Sequence, residues 1–444
     1  MSNKYFGTDG VRGTVGTDPM TADFAMRLAS AAAQVLVPTG GTVLIGKDTR
    51  LSGYMFESAL EAGFVAAGAD VLLLGPLPTP GIAFLTQEFA ADLGVVISAS
   101  HNAYYDNGIK FFDKAGSKLT DAVERAIEAN LSHPAITLES KELGKARRID
   151  SARVRYQEFC AATMPDGLNL DNLKIVFDGA NGAGYKVGPR MLADLGAEVI
   201  PIGCSPNGRN INDGCGSTQP ELLQLTVPAV RANVGVALDG DGDRVVLVDE
   251  QGELVDGDQL LYILATARQR EGKLRGPVVG TVMSNLGLEH ALKANDIEFR
   301  RARVGDRYVL EMLRETGGII GGETSGHMIV LDQTTTGDGL ICALQVLAIM
   351  MQTGKTLSEL AAGMPKYPQT MLNVRTDKRM DPSKSAAIRD AVSKVEGELK
   401  ESGRVVLRAS GTEPVIRVMV EGEDKELVRT LAERLAAVVE EAAT

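Results

Sequence analysis

A unit of apolar strand, helix, apolar strand, helix, apolar strand occurs three times in this chain, and no other feature restricts its fold so tightly. The first copy runs Thr42-Val-Leu-Ile-Gly, then a stretch with Phe56, Leu60, Phe64 and Ala67 on one helical face, then Val71-Leu-Leu-Leu. A second helix near Thr79 to Ala91 leads to Gly94-Val-Val-Ile. The second copy has Lys174-Ile-Val-Phe, Val199-Ile and, after a longer connection, Gly235-Val-Ala-Leu; the third has Val278-Val-Gly-Thr-Val, Ile297-Glu-Phe and Gly318-Ile-Ile-Gly. Short apolar strands alternating with helices predict three α/β domains with doubly wound, parallel or mixed sheets covered on both faces. From about Tyr367 the pattern changes to strand, helix (Ser383 to Leu399), two strands and helix (Lys425 to Ala442), a small α+β domain. Charged or Pro-containing stretches place the boundaries at 1–150, 151–252, 253–366 and 367–444.

A polar loop follows the third strand of every copy: Ser98-Ala-Ser-His-Asn, Asp239-Gly-Asp-Gly-Asp-Arg, and Gly322-Glu-Thr-Ser-Gly-His. Ligands of open α/β sheets sit beyond the carboxyl ends of strands, so three domains around one cleft would bring these loops together. Asp239, Asp241 and Asp243 put three carboxylates within five residues, which repel unless a cation neutralises them. Oxygen-only ligands select a hard cation, Mg²⁺ or Ca²⁺. A calcium EF-hand fits the spacing, with Glu250 at its twelfth position. Arg244, however, stands where that loop needs glycine, and the flanks read as strands.

The serine loop is less distinctive. Adjacent residues on a strand point apart, so Ser100-His101 alone is compatible with an ordinary turn, and Ser98 is locally almost as good a candidate. Asp106-Asn-Gly-Ile-Lys110 reads as a tight turn that returns a lysine to the same loop. A serine hydroxyl needs assistance to act as a nucleophile. A metal, a lysine and a histidine near one serine suit phosphoryl transfer, where positioning and charge neutralisation dominate. Glu323, Ser325 and His327 offer groups that suit sugar hydroxyls, with a capped turn as the alternative. The segment Arg408-Ala-Ser-Gly-Thr-Glu-Pro-Val-Ile-Arg417 combines hydroxyls, a glycine and two arginines, a donor set for phosphate. Gly7-Thr-Asp-Gly-Val-Arg12-Gly neither follows a strand nor matches a P-loop, and reads as a turn carrying an arginine.

A net charge of −12 and the absence of Trp argue against a nucleic-acid or anionic membrane surface, though not against a local anion pocket. Cys160, Cys204, Cys215 and Cys342 have neither metal-ligand spacing nor the look of a disulfide framework. The N-terminus lacks the apolar core of a signal peptide, and the apolar stretch Leu340 to Met351 is too short to span a bilayer. A cytoplasmic protein with a small-molecule partner is expected.

In this order and spacing, five segments resemble the α-D-phosphohexomutase superfamily over essentially the whole chain. They are residues 7–13, 98–102, 239–244, 322–327 and 408–414. The resemblance implies four domains in a heart shape around a central cleft, with Ser100 as the phosphorylated residue. It implies that a phosphoserine oxygen, Asp239, Asp241 and Asp243 hold Mg²⁺. Arg12, Lys110 and His327 would handle protons and stabilise charge, and His101 and Arg244 would support the phosphoserine. Glu323 and Ser325 would hold sugar hydroxyls. Arg408, Ser410, Gly411, Thr412 and Arg417 would hold the phosphate that is not being transferred. A hexosamine or glucose 1,6-bisphosphate would prime the serine.

Within the superfamily, the segments 97–112 and 409–422 are most similar to the phosphoglucosamine mutases, which convert glucosamine 6-phosphate to the 1-phosphate toward UDP-N-acetylglucosamine and the bacterial cell wall. Ala103 departs from the proline usual there, and Thr324 is not the residue most expected in its loop. Phosphoglucomutase or phosphomannomutase activity, and a silent sugar-phosphate-binding regulator, are the alternatives. A homodimer is left open.

Overall fold

The computed structural model describes residues 5–7, 9–376, 381–409 and 415–443. The first sheet contains β1 (Val11–Thr14), β2 (Thr42–Lys47), β3 (Asp70–Pro76), β4 (Leu93–Ile97), β5 (Asp106–Asp113) and β6 (Ala146–Arg148), in the order β1-β5-β4-β2-β3-β6. The second contains β7 (Lys174–Asp178), β8 (Glu198–Ile202), β9 (Val234–Leu238), β10 (Val245–Val248) and β11 (Leu254–Val255), ordered β11-β10-β9-β7-β8. The third contains β12 (Val278–Thr281), β13 (Phe299–Ala302), β14 (Ile320–Gly322) and β15 (Met328–Val330), ordered β13-β12-β14-β15. The last is the antiparallel sheet β16 (Gln369–Arg375), β17 (Gly403–Ala409) and β18 (Val415–Gly422), with helices Ala386–Leu399 and Lys425–Ala443.

The repeat is thus four strands per copy rather than three. In each copy three parallel strands come in the order second, first, third, and a fourth strand then runs antiparallel beside the third. The three sheets are therefore mixed rather than purely parallel. The fourth strands escape the sequence pattern for local reasons. β5 begins with turn-type residues, so Asp106 to Lys110 is strand and the reversal lies at Ala103 to Tyr105. β10 begins directly after Arg244, and β15 is only three residues long. Residues 11–14 are likewise a strand, pairing with β5, and not merely a turn.

β4 and β9 are buried along their whole length, which explains their unbroken apolar runs. One core cluster runs from Leu44 and Tyr156 through Phe177 and Leu238 to Leu288 and Leu340, so the first three sheets and their helices pack around shared apolar contacts. The helix Gly339–Thr353 lies in this core, with Asp338 capping its N-terminus through bonds from the N–H groups of Leu340 and Ile341, 3.0 Å each. Tyr156, from the helix Ala152–Ala161, donates its hydroxyl to the other Asp338 oxygen at 2.8 Å.

Burial pushes the Asp338 carboxyl up to about 6, while the Tyr156 hydroxyl favours its ionised form. The Tyr156 bond therefore contributes most above that pH, where the carboxylate is charged, and fades as pH falls through it. Tyr156→Phe is expected to destabilise the protein by ~1–3 kcal/mol at pH 8 and by clearly less at pH 5. Thermal unfolding of both proteins at the two pH values measures this; an equal loss at both would contradict the assignment.

Candidate active site

The serine loop leaves the carboxyl end of β4, the acidic loop leaves β9, and residues 323–327 leave β14. Each loop is a reversal between the third parallel strand and the antiparallel fourth. The three therefore emerge at equivalent places and meet. Ser100 Oγ lies 2.5 Å from Asp239 Oδ2 and 3.2 Å from His101 Nδ1. Lys110, on β5, donates to Asp241 Oδ2 at 2.8 Å and stands 3.9 Å from Asp243. Arg244 forms a backbone bridge with His327, and His327 Nδ1 is 3.7 Å from Asp243 Oδ1.

Ser98 and Ser100 are separated by their environments. Ser98 is fully buried; its hydroxyl donates to Asp48 at 2.6 Å and accepts from the Ser100 N–H at 2.9 Å. Its hydroxyl is thus committed to holding the loop. Ser100 has φ +52°, a left-handed backbone that non-glycine residues seldom adopt and that concentrates at functional sites. That backbone turns Oγ toward the acidic loop.

Asp239, Asp241 and Asp243 are all buried, and one oxygen from each lies within 4.8 Å of the others. At an effective dielectric of 20, two unit charges at that spacing repel by about 3–4 kcal/mol. The nearby basic groups do not serve the triad alone: Lys110 is shared with Asp9 at 3.0 Å and His327 with Asp306 at 3.5 Å, while Arg244 stands 3.9 Å from Asp243. Among the described residues, Asp241 Oδ1 and Asp243 Oδ1 are buried with no hydrogen-bond partner. Burial, with Asp243 and Asp241 beside it, pushes the Asp239 carboxyl well above the usual carboxylate range. Burial acts in the same direction on Asp243, but His327, Lys110 and Arg244 outweigh it and hold that carboxyl low. Orphaned buried carboxylate oxygens and an all-oxygen donor set fit a hard divalent cation. The EF-hand alternative fails, since the flanks are β9 and β10 and Glu250 accepts from Ser358 at 2.5 Å, away from the triad.

Burial, with Arg244 and Arg12 nearby, brings the His101 imidazole down to about 4, so it is neutral near pH 7. Burial also disfavours charge on Lys110 and His327. Asp241 and Asp9 overcome it for Lys110, as Asp243 and Asp306 do for His327, and both groups are pushed above their usual values. Arg12 pairs with Asp9 on the neighbouring segment.

Glu323 and Ser325 belong to the third loop. Glu323 Oε1 accepts from the Gly305 N–H at 2.9 Å, and its charge is felt by Arg244 and Arg408. Ser325 is exposed, while Thr324 donates to Asp258 at 2.8 Å. Arg408 and Arg417 face each other across β17 and β18. Burial, then the Arg417 charge, makes Arg408 easier to deprotonate than usual. Ser410, Gly411 and Thr412 lie outside the described residues.

Sequence reasoning missed several groups. Asp9 receives Lys110 and Lys118, the latter at 2.5 Å. Lys118 also reaches Asp306 at 2.5 Å, and Asp306 stands 3.5 Å from His327 Nε2. Thr79 donates to Asp241 at 2.7 Å. Arg50, fully buried, pairs with Asp48 at 2.7 Å and donates to backbone carbonyls of the serine loop. Asp48-Thr-Arg50 follows the carboxyl end of β2, so the rule that picked out the other loops would have found it if applied to the first strand.

A divalent cation is expected to raise the unfolding temperature, with ~2.7 kcal/mol of stabilisation at a hundredfold excess over its Kd. Replacing all three aspartates by Asn should abolish the shift; a shift that survives would place the cation elsewhere.

Family models for the phosphoglucomutase/phosphomannomutase proteins match in sequence: α/β/α domain I at residues 3–135, domain II at 155–252, domain III at 256–367 and the C-terminal domain at 371–438. A phosphoglucosamine mutase from Aeromonas hydrophila is 58% identical over 443 residues, covering 100% of both chains. One from Thioalkalivibrio sulfidiphilus is 58% identical, covering 99% of this chain and 98% of the relative. Among solved structures, a phosphoglucomutase/phosphomannomutase family protein from Burkholderia thailandensis shares the fold with TM-score 0.80 and 23% identity, over 100% and 98% of the two chains. So does Aspergillus fumigatus N-acetylphosphoglucosamine mutase, solved with GlcNAc-6P and magnesium, with TM-score 0.70 and 17% identity, over 99% and 96%. By full-length identity and by all four domain matches, the chain belongs to the phosphoglucosamine mutases of the phosphoglucomutase/phosphomannomutase family.

Proposed function

We propose that this chain interconverts glucosamine 6-phosphate and glucosamine 1-phosphate, carrying the exchanged phosphoryl group on Ser100. The observation that carries the reading is the Ser100 hydroxyl, 2.5 Å from Asp239 in a buried acidic triad and held there on a left-handed backbone. The names of the full-length relatives supply the sugar. The residues fit Mg²⁺ on Asp239, Asp241, Asp243 and a phosphoserine oxygen, where the ion would draw negative charge from the phosphoryl group.

The residues then divide the work. In the first half-reaction the Ser100 Oγ–phosphorus bond breaks and a bond from phosphorus to the sugar's free O1 forms, giving a 1,6-bisphosphate. In the second, the phosphoryl group on O6 returns to Ser100 Oγ and leaves glucosamine 1-phosphate. Each transfer moves one proton between a sugar hydroxyl and the serine oxygen. Lys110 and His327, both pushed toward their protonated forms by the carboxylates beside them, can relay it, and with Arg12 they balance charge on the phosphoryl oxygens. His101, neutral near pH 7, shares a hydrogen bond with Oγ, and Arg244 adds positive charge near the acidic loop. Glu323 and Ser325 meet sugar hydroxyls. Arg408 and Arg417, with Ser410, Gly411 and Thr412, grip the distal phosphate. A hexose 1,6-bisphosphate primes the serine. Among the described residues no helix is long and apolar enough to cross a membrane, which is compatible with a cytoplasmic enzyme.

The domain models cover phosphoglucomutases and phosphomannomutases too, so glucose or mannose phosphate is the second reading. Ser100→Ala is expected to lower kcat by roughly four orders of magnitude or more while the protein stays folded. Full activity in that variant would refute the carrier. The wild-type enzyme should show its highest kcat/KM on glucosamine 6-phosphate when compared with glucose 1-phosphate and mannose 1-phosphate. A preference for either hexose would move the assignment within the family, and no turnover of any of the three would favour a silent binding protein.

A further inference from the structure

The long connection from β8 to the helix Glu221–Ala229 marks the second repeat as different, and none of the chemistry above uses it. It reaches across to the first domain. Gly208 O accepts from the Leu51 N–H at 2.9 Å, beside the start of the helix Ser52–Ala66. Asn212 Nδ2 donates to Ser100 O at 2.9 Å and to Asn102 O at 3.1 Å. The same two carbonyls take second bonds from one nitrogen of Arg50, at 2.9 and 2.8 Å. Gly240, in the acidic loop, completes the enclosure: a Cβ there would come within 2.5 Å of Ser100 O and 2.8 Å of Asn212 Nδ2. Asn212 is 5% exposed and itself left-handed, with φ +58°. Its N–H donates to Ala180 O at 2.9 Å, and Gln219 Nε2 donates to its carbonyl at 3.3 Å.

The Ser100 carbonyl is therefore fixed by a donor from its own domain and by one from the domain that carries the metal-binding aspartates. Fixing that carbonyl fixes the following peptide plane and constrains the rotation that aims Oγ at Asp239. Arg50 alone would hold the loop within the first domain but could not set it against the acidic loop.

We propose that Asn212 is a positioning residue for Ser100, binding the serine's backbone and the acidic loop into one frame. This rests on the reading of Ser100 as the phosphoryl carrier. Displacing a reacting group by about 1 Å costs on the order of a hundredfold in rate, so loss of one of two donors is expected to cost about tenfold or more.

Phosphoryl uptake from glucose 1,6-bisphosphate, followed by intact mass, tests the proposal. Wild type should gain one phosphoryl group and Ser100→Ala none. Asn212→Ala and Asn212→Asp should take it up about tenfold or more slowly, with kcat lowered by a similar factor. KM for glucosamine 6-phosphate should stay within about twofold. The Asp variant fills the same space but has no donor, so it separates hydrogen bonding from packing. Gln219→Ala, at an exposed position, loosens the connection without touching the serine loop and is expected to slow uptake about threefold; it decides the matter if the Asn212 variants do not fold. Wild-type uptake and kcat in either Asn212 variant, or in Gln219→Ala alone where the others fail to fold, would overturn the proposal. Uptake by Ser100→Ala would overturn the carrier reading itself, and this proposal with it.

Discussion

Three carboxylates buried within 4.8 Å of one another are the constraint that the rest of the site is arranged to satisfy. Charges are seldom buried without partners, and removing one partner of a buried pair is strongly destabilising. The surrounding groups alternate in sign. Arg12 and Lys118 flank Asp9, Lys110 joins Asp9 to Asp241, Lys118 joins Asp9 to Asp306, and His327 stands between Asp306 and Asp243. The chain of contacts crosses all three α/β domains. Among the described residues, Asp241 Oδ1 and Asp243 Oδ1 remain without a hydrogen-bond partner inside this network. A cation there would complete the pattern, and on the proposed reading a phosphoryl group on Ser100 would meet it.

Backbone conformation matters as much as charge. Ser100 keeps a left-handed φ because Ser98, Arg50 and Asn212 hold the atoms on either side of it: the Ser100 N–H bonds to Ser98 Oγ, and its carbonyl takes two donors. Gly240 is a glycine because the Ser100 carbonyl lies against it. Both features fit the proposed role of Ser100, since a reacting oxygen is best placed before substrate arrives.

The loops that meet here were legible in the sequence because buried parallel strands read as unbroken apolar runs, and the residues just beyond such a run stand at the ligand-binding edge. Lys110 reaches the acidic loop along a strand, not around the turn that Asp106-Asn-Gly suggests. The fourth strands were hidden, since three residues of β15 or a strand opening on Asp-Asn-Gly carry no periodic signal. Asp306 and Lys118 meet across 188 residues, a separation that no local pattern encodes. Arg50 and Asn212 act on backbone carbonyls, which leave no mark on side-chain identity at the receiving position. The choice of Ser100 over Ser98 needed the resemblance at the sequence level. In the structure, hydrogen bonding separates them, because the Ser98 hydroxyl is occupied by Asp48 and the Ser100 N–H.

The central claim is that the phosphoryl group on Ser100 is the one the sugar receives. A single-turnover chase measures this directly: enzyme carrying ³²P on Ser100 is mixed with an excess of unlabelled glucosamine 6-phosphate and quenched on the millisecond scale. The account predicts that label leaves the protein and enters the sugar bisphosphate and glucosamine 1-phosphate no more slowly than one catalytic turnover. Label that stays on the protein while glucosamine 1-phosphate accumulates would contradict it.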